Sequence, residues 1–246
     1  MKKIKRGLII TLLGATLLLG GTILLILSPS CFYQHATPYK QLVILHNQAL
    51  APELFSIIDT SLAVLAQSEL HDPSLSFYWC LADGGVYADL IETLLGPDTF
   101  RAFSRIIVSQ GAFESSVDLF RKFDQSLSTR QFLTHALVHN LQFAHHGFWD
   151  ANPLGGHPKW KWEGYAEYIS LVQKPDLTTL FAISADEKET YHWISLENGQ
   201  KTIYKHIPFL AATQFCLEEK HMKYEDFMRD TVSLEGVLAE ISSFQP

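Results

Sequence analysis

The chain has 246 residues and a formal net charge of −7, with 47% hydrophobic and only 18% charged residues. That composition excludes a largely disordered chain and is long enough to bury a core without staples. Lys2, Lys3, Lys5 and Arg6 all lie at the extreme N-terminus, so the remainder is near about −11 and no basic patch for nucleic acid is left. The three cysteines (Cys31, Cys80, Cys216) form neither a disulfide framework nor a C-x-x-C metal motif. Cys80 and Cys216 lie in apolar stretches and read as buried thiols.

In chain order, Gly7 to Leu27 is an uncharged run behind a basic flank. Its length matches a membrane crossing, so residues 1–30 are expected to be a single transmembrane anchor rather than a cleaved signal. The positive flank would stay in the cytoplasm and place the domain outside, periplasmic or extracellular. Residues 31–40, with Pro38, read as a stalk, and 41–246 as one domain.

Gln41 to His46 predicts a strand, and Pro52 to Gln67 a helix with Leu54, Ile57, Ile58, Leu62 and Leu65 on one face. Phe77 to Ala82 predicts a second strand, closed by Asp83-Gly84-Gly85. Val86 to Leu95 reads as a short helix ended by Gly96-Pro97. Arg105 to Ser109 reads as a third strand, and Phe113 to Phe123 as a helix. Ser128-Thr-Arg-Gln131 fits a capping box, which opens a helix running to His146 and stopped by Gly147. A loop follows, then a helix from Pro158 that ends before Pro175. Residues 177–198 give no clear pattern. Tyr204 to Lys220, Tyr224 to Arg229 and Leu234 to Ile241 predict C-terminal helices. A few early strands followed by helices imply an α+β fold, with a small N-terminal sheet and edge strand packed on helices.

His135 and His139 lie four apart on the best-marked helix, so both imidazoles share one face, one turn apart. Two such nitrogens can bind one tetrahedral metal. With 11 histidines in the chain, about half a pair at that spacing is expected by chance, so the pair alone decides little. The next helix adds Glu163 as an anionic third ligand. Glu167, one turn on, can accept a ring N–H from a ligand histidine and fix its tautomer.

The stretch Leu133-Thr-His135-Ala136-Leu-Val-His139-Asn-Leu-Gln142, followed by Pro158-Lys-Trp-Lys-Trp-Glu163-Gly-Tyr-Ala-Glu167-Tyr168, resembles the gluzincin group of zinc metallopeptidases, whose pattern is L-T-H-E-x-x-H-x-L-Q and then P-x-W-x-x-E-G-x-A-E-Y. The resemblance implies a zinc cofactor held by His135, His139 and Glu163, with Glu167 behind them. It also implies that Ile106, Ile107 and Val108 form an edge strand that pairs with an extended peptide or protein segment. Tyr204 falls where some members carry a transition-state donor.

The departure is Ala136, where the family has the glutamate that moves protons between the metal-bound water and the leaving amine. Peptide hydrolysis is therefore expected to be impaired or absent. Two other readings stay open: an active metal-dependent hydrolase with a displaced base, for which His145, His146, Asp150 and His157 are near in sequence, and a non-catalytic peptide-binding or structural domain. In the last, Phe148, Trp149, Trp160 and Trp162 could line a groove.

Overall fold

A computed structural model describes residues 2–97, 100–114, 118–122, 125–151, 155–184, 192–196 and 200–244. The fold is α+β, as the order of elements implied. The main sheet has β1 (His35–Tyr39), β2 (Leu42–His46), β3 (Phe77–Cys80), β4 (Phe100–Phe103) and β5 (Ile106–Ser109), in the spatial order β1-β2-β3-β5-β4. The three middle strands run parallel, and each outer strand is antiparallel to its neighbour. Helices α2 (Glu53–Leu65) and α3 (Val86–Leu95) connect the parallel strands.

Strand periodicity divides the core. Ile44, Trp79 and Ile107 are register partners and face α2. Leu45, Cys80, Ile106 and Val108 face the opposite way, against Tyr87, Ala88 and Ile91 of α3. Alternate side chains thus enter two different apolar layers, and the middle strands must be apolar throughout.

The N-terminal expectation is corrected. Lys2–Ile26 forms a helix, α1, but among the described residues no helix is long and apolar enough to cross a membrane. The transmembrane anchor, and the membrane localisation drawn from it, are therefore not borne out. The expected stalk is also structure rather than tether: β1 pairs with β2 from His35↔His46 to Tyr39↔Leu42, and the Tyr39 hydroxyl donates to Asp59 Oδ1 of α2 at 2.9 Å.

Two further expectations change. Within the stretch read as a helix over 113–123, the described parts are strands: β6 (Ala112–Glu114) and β7 (Leu119–Lys122), which pair antiparallel with each other and then with β8 (Gln125–Ser128). Ile106, Ile107 and Val108 do not form an edge. They lie in β5, between β3 and β4, and are fully buried. The sheet edge on that side is β4.

Helix α4 (Thr129–Asp150) starts where expected. Ser128 Oγ accepts the Gln131 N–H at 3.3 Å, while the Gln131 side chain turns away to donate to Lys201 O, so only half of the capping box forms. Gly147, at φ +77°, breaks the helical path three residues before its end at Asp150. Asn140 ties α4 to the sheet by donating to Ser104 O and Ile106 O.

Helix α5 (Lys159–Ser170) packs between α4 and α7 (Ile207–Gln214). The approach to α7 is close because residue 164 is glycine. A Cβ there would lie 2.3 Å from Thr213 Oγ1 and 2.7 Å from Phe209 O. Helix α6 (Leu177–Ser184) and the hairpin β9 (Trp193–Ser195) with β10 (Lys201–Ile203) occupy the stretch without a sequence pattern. The last helices are α8 (Tyr224–Arg229) and α9 (Leu234–Phe244). The buried Lys161 ammonium donates to Phe227 O and Asp230 O and so caps α8 from α5.

Candidate metal centre

Helices α4 and α5 bring His135, His139 and Glu163 to one point. His135 Nε2 and His139 Nε2 are 3.0 Å apart, and Glu163 Oε2 lies 3.5 Å from the first and 3.4 Å from the second. A tetrahedral ion with bonds of about 2.0–2.1 Å separates its ligand atoms by about 3.3–3.4 Å. The triangle therefore has the size of one tetrahedral face, and the three residues could hold a metal ion.

The electrostatics suit a cation. Burial alone would push the Glu163 carboxyl up, yet the facing His139 and His135 rings hold it well below the usual carboxylate range. Burial disfavours a charged His139, but the Glu163 carboxylate outweighs it and raises the ring's pKa. The pocket thus sets a partly buried carboxylate against two imidazoles and draws positive charge between them.

Each histidine is oriented from behind. His139 Nδ1 lies 2.8 Å from Gln142 Oε1, an acceptor that fixes the proton on Nδ1 and leaves Nε2 with its lone pair. Gln142 is itself held, since its Nε2 donates to Trp162 O at 3.1 Å. The Trp162 ring stacks on His139 at 6.1 Å and 11°. Behind His135, Glu167 Oε1 is 3.9 Å from Nδ1, so the expected support is electrostatic rather than a direct hydrogen bond. The hydrogen bond of Glu167 goes to His206, whose Nδ1 lies 2.9 Å from Oε1. Burial pushes the Glu167 carboxyl up, but that hydrogen bond and the nearby His135 and His206 rings lower it overall, so it is ionised.

The triad opens into a groove of about 1010 Å³. Ala136 lines it beside the ligands and offers no proton-transferring group. On one side stands an aromatic wall, Phe100–Phe132–Trp193, with ring separations of 5.6 and 5.1 Å. Pro97, Phe100, Arg101 and Ala102 bring the β4 edge to the rim.

Tyr204 is not part of this surface. It opens the 3-10 turn Tyr204–His206, and its hydroxyl donates to Ile183 O at 2.9 Å. The residue two positions on, His206, lines the groove instead. Of the other bases near in sequence, only His157 reaches the groove. His145 contacts Glu225, and His146 Nε2 lies 2.8 Å from the Tyr224 hydroxyl. Phe148 and Trp149 are exposed, whereas Trp160 and Trp162 are buried. Gln142, behind His139, and His206, in the groove wall, are the residues of the candidate site that the sequence did not single out. Gln142 stands inside the quoted motif, but His206 has no periodic or spacing signal to mark it.

Compared with protein-family models, curated proteins and solved structures, the chain matches none.

Proposed function

We propose that this chain is a zinc-binding, metallopeptidase-like domain that receives an extended peptide in its groove and hydrolyses it weakly or not at all. The triangle of His135 Nε2, His139 Nε2 and Glu163 Oε2, with sides of 3.0, 3.4 and 3.5 Å, carries this reading. Two imidazoles and one carboxylate are a donor set suited to zinc, and three protein ligands leave a fourth position for water or a carbonyl. Zinc bound there would lower the pKa of a water and polarise a carbonyl.

Ala136 supports the weakness of the reaction. General acid–base catalysis typically contributes about 10²–10⁴-fold, and a methyl group contributes none of it. The aromatic wall supports a peptide ligand that seats a side chain against Phe100 and Phe132. The same Ala136 favours a second reading, in which the groove holds a peptide without cutting it.

Elemental analysis of the purified chain tests the metal. About one zinc per chain is expected, with a melting temperature that falls when a chelator is added. Less than a few tenths of a zinc per chain, with melting indifferent to chelator, would overturn the proposal.

A further inference from the structure

Among the described residues, the groove wall holds one buried imidazole besides those of the triad that a carboxylate holds in place, and Ala136 lines the same groove. We infer that His206 is the acid–base group of this groove and takes the proton-handling role for which Ala136 has no side chain. The inference rests on the metal-centre reading of His135, His139 and Glu163.

Three observations carry it. First, His206 lines the same groove as His135, Ala136, His139 and Glu163. Second, its Nδ1 faces the buried Glu167 Oε1 at 2.9 Å. A carboxylate oxygen accepts in this contact, so the proton sits on Nδ1 and the ring's lone pair is on Nε2. Third, the ring is fixed: it is 7% exposed and stacks on Phe209 at 5.5 Å and 24°. A base positioned by a carboxylate behind it is the arrangement that general-base chemistry uses.

The other ionisable groups of the groove fit the role less well. The Arg101 guanidinium has donors and no acceptor, and it donates to Leu95 O and Gly96 O. Lys159 is exposed at the rim. The His157 ring stacks on Trp162 at 6.1 Å and 20°, and no carboxylate hydrogen bond orients it among the described residues. Glu167 is committed to His206.

In this role a water proton passes to His206 Nε2 as the water oxygen bonds to the scissile carbonyl carbon. The same proton is then given to the amide nitrogen as the C–N bond breaks. The products are an acid and an amine, and His206 returns to its neutral form.

The test uses the full chain loaded with zinc, a random peptide mixture read by mass spectrometry, and a zinc assay on every variant. We expect slow cleavage that chelator abolishes. His206→Gln keeps an amide that can donate to Glu167 but cannot relay a proton. It should lose about 10²-fold or more of the cleavage rate with zinc content unchanged. In an Ala136→Glu background the same change should cost much less, because a second base is then present. Ring-nitrogen NMR of the zinc-free chain should show His206 protonated on Nδ1 and bare on Nε2, and this readout decides even if His206→Gln does not fold. A zinc-loaded chain that cleaves nothing, a His206→Gln variant that cleaves undiminished, or a proton on Nε2 would each overturn the inference alone. A chain that holds no zinc overturns the metal-centre reading as well, and the zinc assay tells the two failures apart.

Discussion

Helix α4 carries two groups of histidines, and they behave differently. His135 and His139 are one turn apart, partly shielded, and converge with Glu163 to within 3.0–3.5 Å. His145 and His146, near the Gly147 break, are adjacent in sequence, so they leave the helix in different directions. His145 contacts Glu225 and His146 meets Tyr224, while the His146 and His157 rings lie 4.4 Å apart. No carboxylate shared by His145, His146 and His157 converges with them into a metal-sized group among the described residues. Burial of His146, with His157 and His145 beside it, drives its pKa down to about 4. Histidine density is therefore not what makes a site. A partly buried carboxylate set 3.4–3.5 Å from each of two rings raises the affinity for a cation, whereas rings crowded without one repel it.

The largest expected effect that would break this contrast is on metal content. His139→Ala should reduce zinc from about one per chain to less than a few tenths, because it removes one ligand of three. His146→Ala should leave the zinc content unchanged. Equal loss from both, measured by elemental analysis, would show that the contrast is false.

A smaller effect is expected behind the triad. Gln142→Leu removes the acceptor that fixes the His139 tautomer and should weaken zinc binding about 10–100-fold, measured by competition with a chromogenic chelator. Unaltered affinity would mean that Trp162 stacking alone orients the ring.

The smallest effect separates the two groups by pH. The folded pKa of His146 is about 4 against an ordinary 6.5, so the folded chain resists a proton that the unfolded chain accepts. Stability from this group is full above 6.5, falls as the pH drops through that window, and levels off below about 4. His139 has the opposite shift: its contribution is full below its unfolded value and is lost as the pH rises through the raised folded value. His146→Gln should therefore flatten the decline on the acid side in urea-melt series, with the alkaline side unchanged. A decline of the same steepness in both proteins would remove His146 as its source.

The convergence of His135, His139 and Glu163 was legible in the sequence because their positions depend on helix periodicity within two neighbouring segments. Four residues of spacing set His135 beside His139, and the loop ending at Pro158 returned Glu163 to them. Strand order is a long-range property and was not legible in this way. Arg105 to Ser109 looked like an edge, yet its unbroken Ile106-Ile107-Val108 already signalled a strand covered on both faces. The actual edge, β4, has the sequence Phe-Arg-Ala-Phe, which alternates only weakly. His35 to Tyr39 was hidden by Pro38, a residue tolerated there because β1 is an outer strand. Tyr204 and His206 show how fine the limit is. One 3-10 turn decides which of the two faces the groove, and nothing in the residue types fixes its rotation.

The joint at Gly164 sets the tolerance of the whole arrangement to change. Glu163 and Glu167 flank a contact in which a single added carbon would overlap the backbone of α7. Ala136, by contrast, lines the groove, with its own methyl almost fully covered. In a library that samples every residue at both positions and selects only for zinc retention, position 164 would return almost uniformly glycine, and position 136 a wider set. Drift in such a protein is thus channelled: the chemistry at the opening can be lost or regained by one substitution, while the helix spacing beneath it is nearly immutable.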